Sequence, residues 1–129
     1  MTAHTRRKAA LPAAWLVGIV VAGNAHTAAA VEPAAAIARG HAVFAHSCAS
    51  CHGAGPNMPG TMALHFKYND TVSPLLEQRG NLTPDLLRVF VRRGVSMMPS
   101  FRKTELSDSD IEALAAYLND SAAKLQQTR

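Results

Sequence analysis

The sequence lacks several features that would indicate familiar classes of protein. It has 129 residues, which suits one domain and leaves little room for a second. No apolar run is long enough to span a bilayer, and no alternating apolar run is long enough to predict a β-strand. Its single tryptophan, Trp15, lies near the N-terminus, so the rest of the chain has none. We therefore expect one small, mainly helical domain.

Acidic residues are absent from the first 30 positions, which have the order of a secretory signal peptide. A basic stretch from Arg6 to Lys8 precedes an apolar run over 9–22, and small residues follow up to Ala30. We predict cleavage near Ala30, export to the periplasm, and a mature domain over 31–129 with no stable membrane span. The alternative is an uncleaved N-terminal membrane anchor, because a signal peptide and an anchor differ only in degree.

Removal of this leader also removes most of the chain's basic character. The full chain has 13 Lys and Arg against 9 Asp and Glu, a formal net charge of +4. Three of the bases and none of the acids lie in the leader, so 10 bases and 9 acids remain. A nearly neutral domain gives no indication of nucleic-acid binding.

The only two cysteines stand in a pattern typical of covalent haem attachment. Cys48 and Cys51 are separated by two residues and followed directly by His52. In a Cys-x-x-Cys-His motif each thiol adds to one vinyl group of the haem, and the histidine becomes the proximal ligand of the iron. A disulfide across two residues would constrain the chain little, a zinc site would need more ligands, and a thioredoxin-like pair would follow a strand. We therefore predict one covalently bound haem c.

A methionine downstream is the predicted second ligand of the iron. Met97 and Met98 lie between two helical segments, and Pro99 gives the chain an extended course there. A thioether opposite the histidine would complete a six-coordinate His/Met haem. We choose Met98 as the ligand and expect Met97 to pack against the haem edge or a partner protein.

Three helices form the predicted scaffold. Their apolar spacing and end signals place them at about Pro33 to His46, Thr83 to Arg93, and Ser107 to Lys124. Ser107 and Asp110 are spaced like a capping box.

The remaining segments carry weaker signals. Residues 53–60 are rich in Gly and Pro and predict a loop, in which the carbonyl of one of its two prolines would accept a hydrogen bond from Nδ1 of His52. Residues 61–81 show no clear pattern. Within them, Arg79 is expected to be a solvated surface residue, with a hydrogen bond to a haem propionate as the alternative.

Taken together, these motifs resemble those of class I cytochromes c over nearly the whole mature chain. The matching positions are Gly40 and Phe44, the attachment motif, Met98, Pro99 and Phe101, and Leu114 and Tyr117. The resemblance implies an all-α class I cytochrome c fold, with three main helices and loops wrapped around one haem. It also implies that the first and last helices cross near Gly40, and that the protein carries electrons rather than catalysing a reaction.

The redox partner is the least specified part of the prediction. The stretch over 82–101 resembles the small cytochrome subunits of p-cresol-methylhydroxylase-like flavocytochromes, which implies a flavoprotein dehydrogenase as the electron donor. The alternative is a free shuttle between a dehydrogenase and a terminal oxidase. A third hypothesis is a haem enzyme with an open distal position, in which His65 or Arg102 would stand beside the iron.

Overall fold

The structure is a computed structural model that describes residues 32–69 and 71–128. The predicted signal peptide lies outside the described residues. Within them the chain forms five α-helices, a short 3-10 turn and no β-strand, and none of the helices is long and apolar enough to cross a membrane. The helices are α1 (Pro33–Ser47), α2 (Ala49–His52), α3 (Pro59–Tyr68), α4 (Pro84–Arg93) and α5 (Asp108–Gln127), and the 3-10 turn (Leu76–Gln78) lies between α3 and α4.

Helices α1 and α5 cross at Gly40, as the resemblance implies. A Cβ atom on Gly40 would lie 2.0 Å from the backbone oxygen of Ala113 and 2.7 Å from Cβ of Tyr117. Only glycine therefore allows the two helices to approach this closely. One turn later, the ring of Phe44 packs against that of Tyr117, with the centroids 5.7 Å apart.

The hydrophobic core lies along the inner face of α5. Ile111 and Leu118 have no exposed surface, and full burial of such a side chain contributes about 1.5–3 kcal/mol to stability. Leu114 and Ala115 of α5 also belong to the cluster. Residues of α1, α4 and the connecting loops complete it: Phe44, Leu82, Leu87, Val91 and Leu106. The core is therefore built on α5, with α1 and α4 packed against it.

The start of α5 is a complete capping box, which confirms the prediction. The Ser107 hydroxyl accepts a hydrogen bond from the backbone N–H of Asp110 at 3.1 Å, and the Asp110 carboxylate accepts one from the backbone N–H of Ser107 at 2.9 Å. Arg39 of α1 donates to the same carboxylate at 2.8 Å. These hydrogen bonds, those from Ser107 first, lower the pKa of Asp110.

The three predicted helices are confirmed with shifts of a few residues at their ends, whereas α3 contradicts the expectation of a loop up to residue 60. Helix α3 begins at Pro59, which is well tolerated in a first turn. It ends at Asn69, whose φ of 45° is left-handed. None of its residues is buried, so it has no apolar stripe from which its helical period could be recognised.

Candidate haem site

The attachment motif follows α1 directly and forms a helical turn. The backbone N–H of Cys48 donates to the carbonyl of Phe44 at 2.9 Å, which ends α1. The N–H groups of Cys51 and His52 then donate to the carbonyl of Cys48 at 3.1 and 2.8 Å. No disulfide joins the two cysteines; Cys48 is half-buried and Cys51 is exposed. One turn of backbone therefore holds the three residues of the motif together.

Burial controls the ionisation of two of these residues. Desolvation, with a smaller contribution from Cys51, raises the pKa of the Cys48 thiol to about 11. Burial also lowers the pKa of His52, which favours the neutral imidazole. The neutral imidazole is the form that coordinates a metal.

The ring of His52 lies against the first turn of α3. A Cβ atom on Gly60 would lie 2.7 Å from Cε1 and 2.9 Å from Nδ1 of His52, so any larger side chain would displace the ring. The hydroxyl of Thr61 donates to the carbonyl of Gly53 at 3.0 Å and ties the start of α3 to the end of α2. The sequence pattern identifies neither Gly60 nor Thr61. The one sequence signal for this contact is that Gly60 lies inside a helix. Glycine destabilises a helix by about 1 kcal/mol relative to alanine, so its presence there indicates a close contact.

The predicted hydrogen bond to His52 is absent. Nδ1 of His52 is buried and has no hydrogen-bond partner within residues 32–69 and 71–128. Pro59 cannot supply the carbonyl because it begins α3, where carbonyls point along the helix axis, and Pro56 is exposed. A metal-bound histidine usually donates its second ring N–H to a partner, so this unpartnered nitrogen does not by itself indicate coordination.

Met98 lies in a tight turn that follows α4. Helix α4 ends at Gly94, whose φ is 67° and whose added Cβ would lie 2.6 Å from the carbonyl oxygen of Met98. Val95 and Met98 exchange two backbone hydrogen bonds of 3.1 and 2.9 Å, and Ser96 between them has φ 55°. Met98 is half-buried against the core, whereas Met97 is 77% exposed. The turn thus directs one thioether inward and the other towards solvent.

Cys48 and Met98 both pack against the hydrophobic core cluster. Helix α4 adds Leu86 and Phe90, which lie beside the buried Leu87 on the helix but are each 38% exposed. An apolar helix face that the protein covers only in part is suited to contact with a large apolar cofactor. The side chains present therefore fit a haem.

Other candidate side chains have local partners. The guanidinium of Arg79 lies 5.2 Å from the ring centroid of Tyr68, and the residue is half-buried, so the expectation of a solvated side chain is wrong. Arg102 pairs with Glu105 at 3.3 Å. In the part of the chain that the structure describes, no group of three or more His, Cys, Asp or Glu residues could hold a metal ion.

Comparison with known proteins identifies the family. Residues 35–118 match the family model described as cytochrome c oxidase, cbb3-type, subunit III. The chain is 37% identical to cytochrome c6 of Synechocystis sp. over 110 residues, which is 85% of this chain and 81% of that protein. It is 39% identical to cytochrome c6 of Thermosynechococcus vestitus over 92 residues, 70% of this chain and 75% of that protein. No solved structure gives a significant match.

The matched region runs from α1 into α5 and includes both the attachment motif and the Met98 turn. The all-α architecture predicted for the chain is confirmed. The expectation of an electron carrier rather than an enzyme is also confirmed by these relatives. The chain therefore belongs to the cytochrome c family, as a class I monohaem c-type cytochrome that carries one covalently bound haem c and transfers electrons.

Proposed function

We propose that this chain is an exported, periplasmic electron carrier whose haem is attached through Cys48 and Cys51 and whose iron is held by His52 and Met98. The observation that carries the proposal is that Cys48 and the half-buried Met98 pack against the same core cluster. The two predicted segments, 50 positions apart in the sequence, thus both contact that cluster. The lowered pKa of His52 adds support, because burial favours the neutral form of the imidazole that coordinates a metal.

When bound, the haem supplies one-electron chemistry through the ferrous and ferric states of its iron. The chain's own residues determine where and how this chemistry takes place. Cys48 and Cys51 would hold the group covalently, and His52 and Met98 would ligate its iron, so that no position would remain for a substrate on the metal. The core residues around Met98 exclude water from that side and limit reorganisation during electron transfer.

The proposed electron donor is a dehydrogenase, and the proposed acceptor is a terminal oxidase. An oxidase partner is consistent with the family model, whose description names a subunit of an oxidase. The relatives reported above are named cytochrome c6 and not flavocytochrome subunits, and nothing in the described residues favours a flavoprotein over another dehydrogenase. The exposed Met97 and Val95, beside the ligand turn, are available for contact with either partner.

Replacement of each methionine tests the ligand assignment. Met98→Ala is expected to abolish the iron–thioether charge-transfer band of the ferric protein and to lower the reduction potential, because a thioether ligand raises that potential. Met97→Ala is the matched control and should keep the band. Loss of the band in Met97→Ala, with the band retained in Met98→Ala, would reverse the assignment.

Mass spectrometry of the exported protein tests attachment and processing together. The mature chain should begin near Val31 and carry the mass of one haem, and Cys48→Ser combined with Cys51→Ser should carry none. An N-terminus at residue 1 or 2 in the membrane fraction would instead show the uncleaved anchor.

A further inference from the structure

The loop that contains Met98 leaves α4 and is held at its far end, Phe101, by the last turn of the same helix. Arg92 donates from Nη1 to the carbonyl of Phe101 at 3.1 Å. The backbone N–H of Phe101 donates back to the carbonyl of Val91 at 2.8 Å. Met98 lies between Arg92 and Phe101 in the chain, so these two hydrogen bonds close the segment that carries it.

Arg92 also connects this loop to α5. Its Nη2 donates to Oδ1 of Asp108 at 2.8 Å, and Asp108 is the first residue of α5. The other carboxylate oxygen accepts from Nζ of Lys103 at 2.8 Å, and Nε of Arg88 lies 3.8 Å from Oδ1. A carboxylate at a helix N-terminus is itself favourable because of the helix dipole. Asp108 is therefore a fixed anchor to which Arg92 ties the loop.

Arg92 differs from the other cations around Asp108 in burial. Its side chain is 19% exposed, against 35% for Arg88 and 75% for Lys103. Its Nε is buried without a hydrogen-bond partner in the described part of the chain, which is unfavourable. The planar guanidinium reaches two acceptors in fixed directions, and a lysine ammonium cannot reproduce that geometry.

We propose that Arg92 is a positioning residue for the axial methionine: it holds the loop over 94–101 in one conformation, so that Met98 stays on the iron. The inference rests on the proposed ligation by Met98. Without the bond to Phe101, the loop would be held at that end by the backbone bond to Val91 and by side-chain packing. Met98 would then leave the iron more often and admit external ligands.

The rate of cyanide binding to the ferric protein tests this inference, because cyanide binds only after the methionine has left the iron. Arg92→Gln should bind cyanide at least tenfold faster than the wild type and show a weaker thioether charge-transfer band. Arg88→Gln is the matched control, since Arg88 lies on the same helix and near Asp108 but has no hydrogen bond to the loop. Its cyanide rate should stay within twofold of the wild type.

Arg92→Lys covers the case in which Arg92→Gln does not fold. Lysine keeps the charge but can reach only one of the two acceptors at a time, so an intermediate cyanide rate is expected. A wild-type rate in every Arg92 variant that folds would overturn the inference. Equal acceleration of cyanide binding in Arg92→Gln and Arg88→Gln would also overturn it, because both substitutions would then act by weakening the packing of α4 against α5. Absence of the thioether band in the wild type would instead contradict the proposed function.

Discussion

The two sides of the candidate haem site are built in different ways. The His52 side, formed by α2 and α3, contains no buried residue. Within the described residues, the side-chain hydrogen bond that joins these two helices is that of Thr61 to Gly53. The Met98 side, from the start of α4 to the start of α5, has buried apolar residues, capped helices and the ion pairs around Asp108.

This difference shows which side depends on the cofactor. The polypeptide core supports α4 and the Met98 loop directly, whereas α2 and α3 have little protein to pack against. Haem attached at Cys48 and Cys51 would supply the apolar surface that the His52 side lacks. Regions with few buried contacts open at the lowest free energy, so α3 should open more readily than α4 or α5.

The largest loss of stability is expected from a substitution at Gly40, because the crossing of α1 and α5 supports both sides of the site. In Gly40→Ala the new methyl group would lie 2.0 Å from a backbone oxygen that cannot rotate away. Overpacking of this kind costs about 1–3 kcal/mol or more, and we expect the upper part of that range in urea unfolding, with faster amide exchange on both sides. Gly80→Ala is the control, since its Cβ would meet nothing closer than 3.9 Å. Equal stability of the two variants would contradict the proposed role of the crossing.

The second largest effect is expected from a substitution at Gly60, and it should be confined to the His52 side. Gly60→Ala would place a methyl group 2.7 Å from Cε1 of His52, so we expect the imidazole to shift and the ferric protein to show a high-spin spectrum. The free energy of unfolding should fall by about 1–2 kcal/mol, while amide exchange in α4 stays unchanged. Gly80→Ala again serves as the control. A low-spin spectrum identical to that of the wild type would show that the ring does not depend on this contact.

Acid should loosen the Met98 side. Hydrogen bonds from Lys103 and then Arg92 lower the pKa of Asp108 from 3.8 to about 2 in the folded protein. A carboxyl group with a lowered folded pKa stabilises the protein above its unfolded pKa, and this contribution is lost as the pH falls through the folded value. The cations that face it are Arg88, Arg92 and Lys103. The thioether band of the ferric protein should therefore weaken between pH 4 and pH 2.

Asp108→Asn is the control for this acid transition. Asparagine cannot titrate, so the variant should begin with a weaker band at neutral pH and change less between pH 4 and pH 2. An identical titration in both proteins would assign the transition to another group.

The smallest effects on stability are expected from two threonine substitutions, one on each side of the site. The hydroxyl of Thr83 accepts from the N–H of Leu86 at 3.2 Å and caps α4, so Thr83→Ala should lower the global free energy of unfolding by about 1 kcal/mol. Thr61→Ala removes the bond to Gly53 and should accelerate amide exchange in α3, with a global change below about 0.5 kcal/mol. A larger global loss for Thr61→Ala than for Thr83→Ala would reverse the comparison.

The Met98 side is also the side that the sequence predicts better. Helices α4 and α5 pack on protein, so their apolar stripes and caps, such as Ser107 with Asp110, are visible as patterns. Helix α3 packs on little protein and carries no stripe, so its sequence lacks the periodic signal that reveals a helix. A helix that is completed by a cofactor is hard to recognise from the polypeptide alone.

The candidate site divides differently, by distance along the chain. Cys48, Cys51 and His52 are neighbours in the chain, so their chemistry can be predicted from their spacing. The contact of Gly60 with His52 depends on how the intervening loop turns, and the bond of Arg92 to Phe101 depends on how α4 meets α5. Neither contact has a local pattern, because each joins residues through tertiary geometry.

The crossing of α1 with α5 also has a consequence for the order of assembly. Helix α1 immediately precedes Cys48, and its packing partner begins about 60 residues later. Because a chain is synthesised from its N-terminus, α1 has no partner to close on until α5 has been made. We expect both cysteines to stay accessible to modification until the two helices pack together. The separation of α1 from α5 along the chain would thus extend the period in which the cofactor can be attached.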